Sequence, residues 1–93
     1  MMTGDATERE ATIVNPLGLH ARPAAQLVRL ASTFQCDIFF SKDGMEVNGK
    51  SIMGVMMLAA ECGSSIIIRA AGMDADAAVQ AIVELISTGF GEM

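Results

Sequence analysis

The chain has 93 residues, enough for one domain with a modest single core and too few for two. Hydrophobic residues make up 52% of it and charged residues 18%, a balance that excludes a disordered chain. The net charge of −5, with six Lys and Arg scattered along the sequence, lacks the basic face of a nucleic-acid binder, and no apolar run approaches the ~20 residues of a membrane helix.

In chain order, residues 1–7 are expected to be a mobile lead-in and residues 8–93 a single domain. Glu8 to Asn15 alternates between polar and apolar, with Ala11 and Ile13 on one face, and predicts a half-buried strand. Asn15-Pro16-Leu17-Gly18 is turn chemistry. From Ala21 to about Thr33, Ala24, Leu27, Val28 and Ala31 recur at helical spacing while Gln26, Arg29 and Ser32 fall off the stripe. Cys36 to Ser41 is short and rich in β-formers. Lys42-Asp43-Gly44 then turns the chain into a paired strand from Met45 to Asn48.

Ser51 opens a second helix to about Ala60, with Val55 and Leu58 expected inside and Gly63 as its stop. Ser64 to Ala71 contains Ile66-Ile67-Ile68 and is apolar enough for a central strand. Asp74 is the expected N-cap of a helix from Ala75 to about Ser87, whose buried stripe is Ala78, Ala81, Ile82, Leu85 and Ile86. Gly89 ends it, leaving Phe90 to Met93 as a short tail. The order β-α-β-β-α-β-α predicts an α+β sandwich with helices covering one sheet face, and by itself leaves a ferredoxin-like arrangement open.

The polar, acidic opening from Met1 to Glu10 is unlike a signal peptide, so a cytoplasmic location is expected. Cys36 and Cys62 lack CxxC spacing and are expected as reduced thiols. One His and two distant Cys make a poor metal set, and neither metal nor cofactor is expected. Most of the eight methionines are expected to fill core gaps; Met53, Met56 and Met57 cluster where flexible thioethers also suit an adaptable binding surface.

The chemistry concentrates in Leu17-Gly18-Leu19-His20-Ala21-Arg22-Pro23-Ala24-Ala25, which holds the only histidine. Gly18 permits a tight turn and Pro23 fits a first helical turn, so His20 falls at a helix start. There it stands beside unsatisfied backbone N–H groups and the positive end of the helix dipole, a site suited to an anion. Arg22 adds a permanent charge and a fork of donors that matches phosphate. A lone His is more often a structural or surface residue, and His20 as a plain polar N-cap is the competing reading.

This segment closely resembles the active-site segment of the HPr family, the histidine phosphocarriers of the bacterial phosphotransferase system. Val47-Asn48-Gly49-Lys50-Ser51-Ile52-Met53-Gly54-Val55-Met56 resembles that family's regulatory-serine region, and the likeness runs from about Thr12 to Glu84. The resemblance implies an open-faced sandwich, a four-stranded antiparallel sheet with three helices on one face. It implies that His20 accepts a phosphoryl group on Nδ1, the pros nitrogen, from phosphorylated enzyme I and passes it to an EIIA-type acceptor, with Arg22 holding the phosphate. Gly18 and Pro23 support the helix start, and Ser51 is the residue HPr kinase/phosphorylase would modify. Ile52, Met53 and Met56 match partner-contact positions, with Met53 and Met56 expected partly exposed. The expected protein is a monomeric relay with no turnover of its own.

The chain departs from the family pattern in places. Leu17 stands where many relatives carry a small polar residue, so the orientation of the ring is expected to come from the backbone or from Asn15. Basic positions after the first helix turn are thinned to Arg29, which shifts docking toward apolar contact. The longer tail beyond Ser87 speaks against a terminal carboxylate at the site. The Gly49-Lys50-Ser51 context and the Phe90-Gly91-Glu92 ending look closer to proteobacterial and nitrogen-type carriers than to the sugar-dedicated type. A non-carrier regulatory protein of the same fold, acting through Ser51, is the alternative, and the presence of His20 argues against it. A small enzyme using His20 as a general base is the third reading, and no nucleophile or second titrating group close by supports it.

Overall fold

The computed structural model describes residues 6–92. Along them run β1 (Ala6–Thr12), α1 (Ala21–Ala31), β2 (Asp37–Lys42), β3 (Met45–Asn48), α2 (Ile52–Met57), β4 (Ser65–Ala71) and α3 (Ala75–Ser87), followed by a 3-10 turn at Gly89–Gly91. The strands form one antiparallel sheet in the order β1-β4-β2-β3. This is the open-faced sandwich, and the ferredoxin-like alternative falls away.

Alternation along the strands explains why only one face is covered. In β4, Ile66, Ile68 and Ala70 are buried while Ser65 and Ile67 face out, so its apolar run serves a central strand with one wet side. Phe40 lies opposite Ile68 and Ile38 opposite Ala70, which carries the buried row across into β2. The helices cover that row. α1 contributes Pro23, Ala24, Leu27 and Ala31, and α3 contributes Ala75, Ala78, Val79, Ile82 and Ile86. Val28, Ala81 and Leu85 are half-buried at the stripe edges, whereas Val55 and Leu58 are buried as expected. No helix among the described residues is long and apolar enough to cross a membrane.

Several boundaries and roles differ from expectation for physical reasons. β1 takes in Ala6 and Thr7, read above as lead-in, because they pair with Ala71 and Ala70; the rest of that lead-in, residues 1–5, lies outside the described residues. The strand ends at Thr12 rather than Asn15, since its register with β4 runs out at Ser65. α2 stops at Met57, not Ala60. Leu58 N–H donates to Val55 and Ala59 N–H to Met56 as the last turn tightens, and Ala59 then reverses the chain at φ 50°. Asp74 occupies the N-cap position of α3 without capping it. Its carboxylate accepts the backbone N–H groups of Gln35 and Cys36, tying the start of β2 to α3. Cys36 and Cys62 are free thiols, the first buried and the second exposed.

The methionines are the largest correction. Met45, Met53, Met56, Met57 and Met73 are all exposed, and the core among the described residues is built from Ile, Leu, Val, Ala, Phe and Cys36.

Candidate functional site

The turn before α1 is clamped from both sides. Gly18 N–H donates to Asn15 O at 3.1 Å, and the Asn15 side-chain amide donates back to Gly18 O at 2.8 Å. Gly18 sits at φ +69°, and a Cβ there would lie 2.5 Å from Ala60 O, so both conformation and space require glycine. Leu19 N–H donates to the same Ala60 carbonyl at 2.9 Å, which fastens the turn to the connection after α2. The chain then enters α1 with His20 at the N-cap in an extended conformation, its carbonyl accepting Ala24 N–H at 3.0 Å. Ala21 and Arg22 lie in the first turn, where backbone N–H groups have no intrahelical acceptor.

The His20 ring does not cap the helix. Its Nε2 lies 2.9 Å and 3.1 Å from the two carboxylate oxygens of Glu92, and its side chain keeps 37% exposure. The Asn15 amide donates to Glu92 Oε1 at 2.9 Å as well. Asn15 is fully buried, so one clamp orders both the turn and the carboxylate. The hydrogen bond from His20 holds the Glu92 carboxyl below the usual carboxylate range. Burial opposes this, while the Asn15 amide and the positive charge of Arg22 add to it. An ionised carboxylate only accepts. Nε2 therefore carries the proton, and the neutral ring has its lone pair on Nδ1.

Glu92 arrives through a strained strap. Gly89, Phe90 and Gly91 have φ of 69°, 58° and 74°, three consecutive left-handed residues. For Phe90 that conformation costs about 1–2 kcal/mol, offset by burial of its ring. The Gln26 side chain also donates to Phe90 O at 3.4 Å. The expected short tail is thus an ordered turn, and it brings to the ring a carboxylate that the sequence reading did not name, the side chain of Glu92. Asn15 does help orient the ring, through Glu92. The two glycines flanking Phe90, followed by an acidic residue, were the signal for it.

Beside the ring opens a hollow of about 430 Å³ lined by Pro16, Leu17, Arg22, Gly91 and Glu92. Arg22 is exposed and has no ion-pair partner within 4.0 Å among the described residues, so its guanidinium remains available to an anion. Ser51 is the N-cap of α2, its hydroxyl accepting Gly54 N–H at 3.1 Å. α2 packs on α1, which brings the serine motif onto the helix adjoining the histidine motif. From α2, Ile52, Met53, Met56 and Met57 face solvent, and Leu17 is exposed on the neighbouring turn. This arrangement can hold an anion beside a ring nitrogen and present an apolar face to a docking protein.

The family described as "PTS HPr component phosphorylation site" matches residues 7–88. The phosphocarrier protein HPr of Xylella fastidiosa is 51% identical over 85 residues, covering 91% of this chain and 96% of the relative. The phosphocarrier protein NPr of Shewanella violacea is 41% identical over 85 residues, covering 91% and 93%. A crystal structure of HPr from Thermoanaerobacter tengcongensis superposes with a TM-score of 0.90 at 45% identity, covering 94% of this chain and 98% of that one. A crystal structure of an HPr dimer from the same organism has a TM-score of 0.75 at 48% identity, covering 81% and 86%.

Proposed function

We propose a function from one premise: the chain belongs to the HPr family of phosphotransferase-system phosphocarriers. The Nδ1 lone pair of His20 attacks the phosphorus of phosphorylated enzyme I. A P–N bond forms at Nδ1 as the donor's P–N bond breaks, while the proton stays on Nε2 against Glu92. Transfer onward to a histidine of an EIIA-type acceptor repeats the exchange in the same sense. The observation that carries this reading is the His20–Glu92 hydrogen bond, made through Nε2, which leaves Nδ1 without a hydrogen-bond partner among the described residues in a half-exposed ring.

Arg22 and the first-turn amides of α1 stabilise the charge of the phosphoryl oxygens. Gly18 and Pro23 hold the helix start on which this depends. Ile52, Met53 and Met56 form the docking face for donor and acceptor in turn, which needs that face free and favours a monomer in the cytoplasm. Ser51 is a regulatory site for HPr kinase/phosphorylase, where a phosphate would add about −2 charge beside the docking face. The HPr and NPr relatives both support the carrier role in general, and the nitrogen-type branch rests on the Gly49-Lys50-Ser51 context and the Phe90-Gly91-Glu92 ending. Discharge by a panel of EIIA proteins decides the branch. Incubation with phosphoenolpyruvate and enzyme I tests the carrier reading: an acid-labile, base-stable phosphate is expected. A protein that takes no label acts as a non-carrier regulator instead.

A further inference from the structure

The docking face of α2 is unusual in its chemistry rather than in its apolarity. Met53, Met56 and Met57 are 77%, 42% and 64% exposed, three thioethers on a helix of six residues. No methionine among the described residues fills the core, so packing does not explain their use. A thioether resembles Leu in size and apolarity, yet it alone of the two takes up oxygen under mild conditions.

Resting on the carrier reading above, we infer that α2 is an oxidative modification site: a hydroperoxide converts Met53, Met56 and Met57 to sulfoxides, and this weakens docking of the phosphoryl donor and acceptor. In each step the thioether sulfur attacks a peroxide oxygen, the O–O bond breaks and an S–O bond forms. Sulfur gives up two electrons and the peroxide leaves as water or an alcohol. The face that was apolar then carries polar groups that a partner must desolvate without supplying bonds to them.

The fold is insulated from this change. Val55 and Leu58, both buried, anchor α2 to the core, and the cap between Ser51 and Gly54 involves none of the sulfurs. The thiols compete unequally for the oxidant. Cys36 is buried, and burial together with its contact to Asp74 pushes its thiol up to about 11, which disfavours the reactive thiolate. Cys62 is exposed and is removed by Cys62→Ser. Met45 at the start of β3 and Met73 ahead of α3 are also exposed but lie on other elements, which makes them internal controls.

The experiment treats the Cys62→Ser protein with hydrogen peroxide, locates added oxygen by peptide mass spectrometry and measures phosphoryl uptake from phosphorylated enzyme I. Oxidised protein is expected to be about tenfold slower, the scale of one uncompensated polar group at a docking face, with circular dichroism and thermal midpoint unchanged. Methionine sulfoxide reductase restores the rate. A Met53→Leu/Met56→Leu/Met57→Leu variant, compared with its own untreated sample, keeps its rate after peroxide, whereas Met45→Leu/Met73→Leu stays sensitive. A labelled protein indifferent to peroxide, a triple-leucine variant equally sensitive, or a loss that accompanies unfolding overturns the proposal. An untreated protein that takes no label overturns the carrier reading, and this inference with it.

Discussion

The His20 Nε2 lies 2.9 Å from Glu92 Oε2, a contact between residues 72 apart in sequence. It divides the ring's two nitrogens into a proton-bearing side and a lone-pair side, and the carboxylate does this without occupying the reacting position. On the proposed mechanism Glu92 is a positioning residue, like the carboxylates that orient histidines in other sites.

Glu92→Gln keeps the shape and removes the charge. Phosphoryl uptake is expected to fall roughly 10- to 100-fold, the usual scale for losing an orienting partner. Nitrogen-15 spectra of the imidazole separate this from a purely structural effect. The variant should gain the Nδ1–H tautomer, and Glu92→Asp should recover part of both rate and tautomer. An unchanged tautomer ratio in the glutamine variant would remove Glu92 from the mechanism.

Acid should weaken the fold through the same carboxylate. Its proton affinity is depressed in the folded state, so its contribution is present above the unfolded carboxylate range of about 4.3 and is lost as pH falls through its lower folded value. Asp74 behaves alike, held down first by the Gln35 amide and then by Cys36. Urea unfolding between pH 7 and pH 3 should show wild type losing stability faster than Glu92→Gln/Asp74→Asn. Parallel curves would contradict this.

Much of the architecture was legible because the relevant forces are local. The apolar run Ile66-Ile67-Ile68 marked a strand, the 3.6-residue stripe from Ala75 to Ser87 a helix, and the glycine, histidine and proline around residue 20 the helix start. Glu92 had a local signal in the two glycines flanking Phe90, but its place beside His20 was not legible from it. Its place depends on a left-handed Gly89-Phe90-Gly91 turn whose cost is met by burying Phe90 in a core assembled from distant elements. Asp74 failed as a cap for a related reason: two backbone donors of the loop before β2 outcompeted its own helix. The methionines misled because composition treats a thioether as core material wherever it stands.

Gly18→Ala should be among the most damaging small substitutions. The added Cβ meets Ala60 O at 2.5 Å in a left-handed backbone, a combination of overpacking and strain worth about 1–3 kcal/mol or more. The thermal midpoint should fall, and phosphoryl uptake should fall even at temperatures where the variant stays folded, because the turn carries His20. Wild-type uptake in a folded Gly18→Ala protein would refute the clamp.

Ser51 separates stability from regulation. Ser51→Ala loses the bond to Gly54 N–H and should cost about 1 kcal/mol. Ser51→Asp keeps a capping oxygen and adds charge, so it should remain folded while accepting phosphate more slowly from enzyme I. Uptake at the unmodified rate would eliminate the inhibitory role.

Arg22→Ala should leave the thermal midpoint within measurement error, since the side chain is exposed and has no ion-pair partner among the described residues. Uptake should nevertheless weaken by about tenfold, the scale of one charge-assisted contact. A fully active variant would assign anion binding to the helix amides alone.

The most direct measurement is nitrogen-15 and phosphorus-31 NMR of the protein after incubation with phosphoenolpyruvate and enzyme I. A single phosphoryl group bonded to Nδ1 of His20, with the proton retained at Nε2, is the predicted result. A phosphoryl group on Nε2, or label surviving in His20→Ala, would contradict the account.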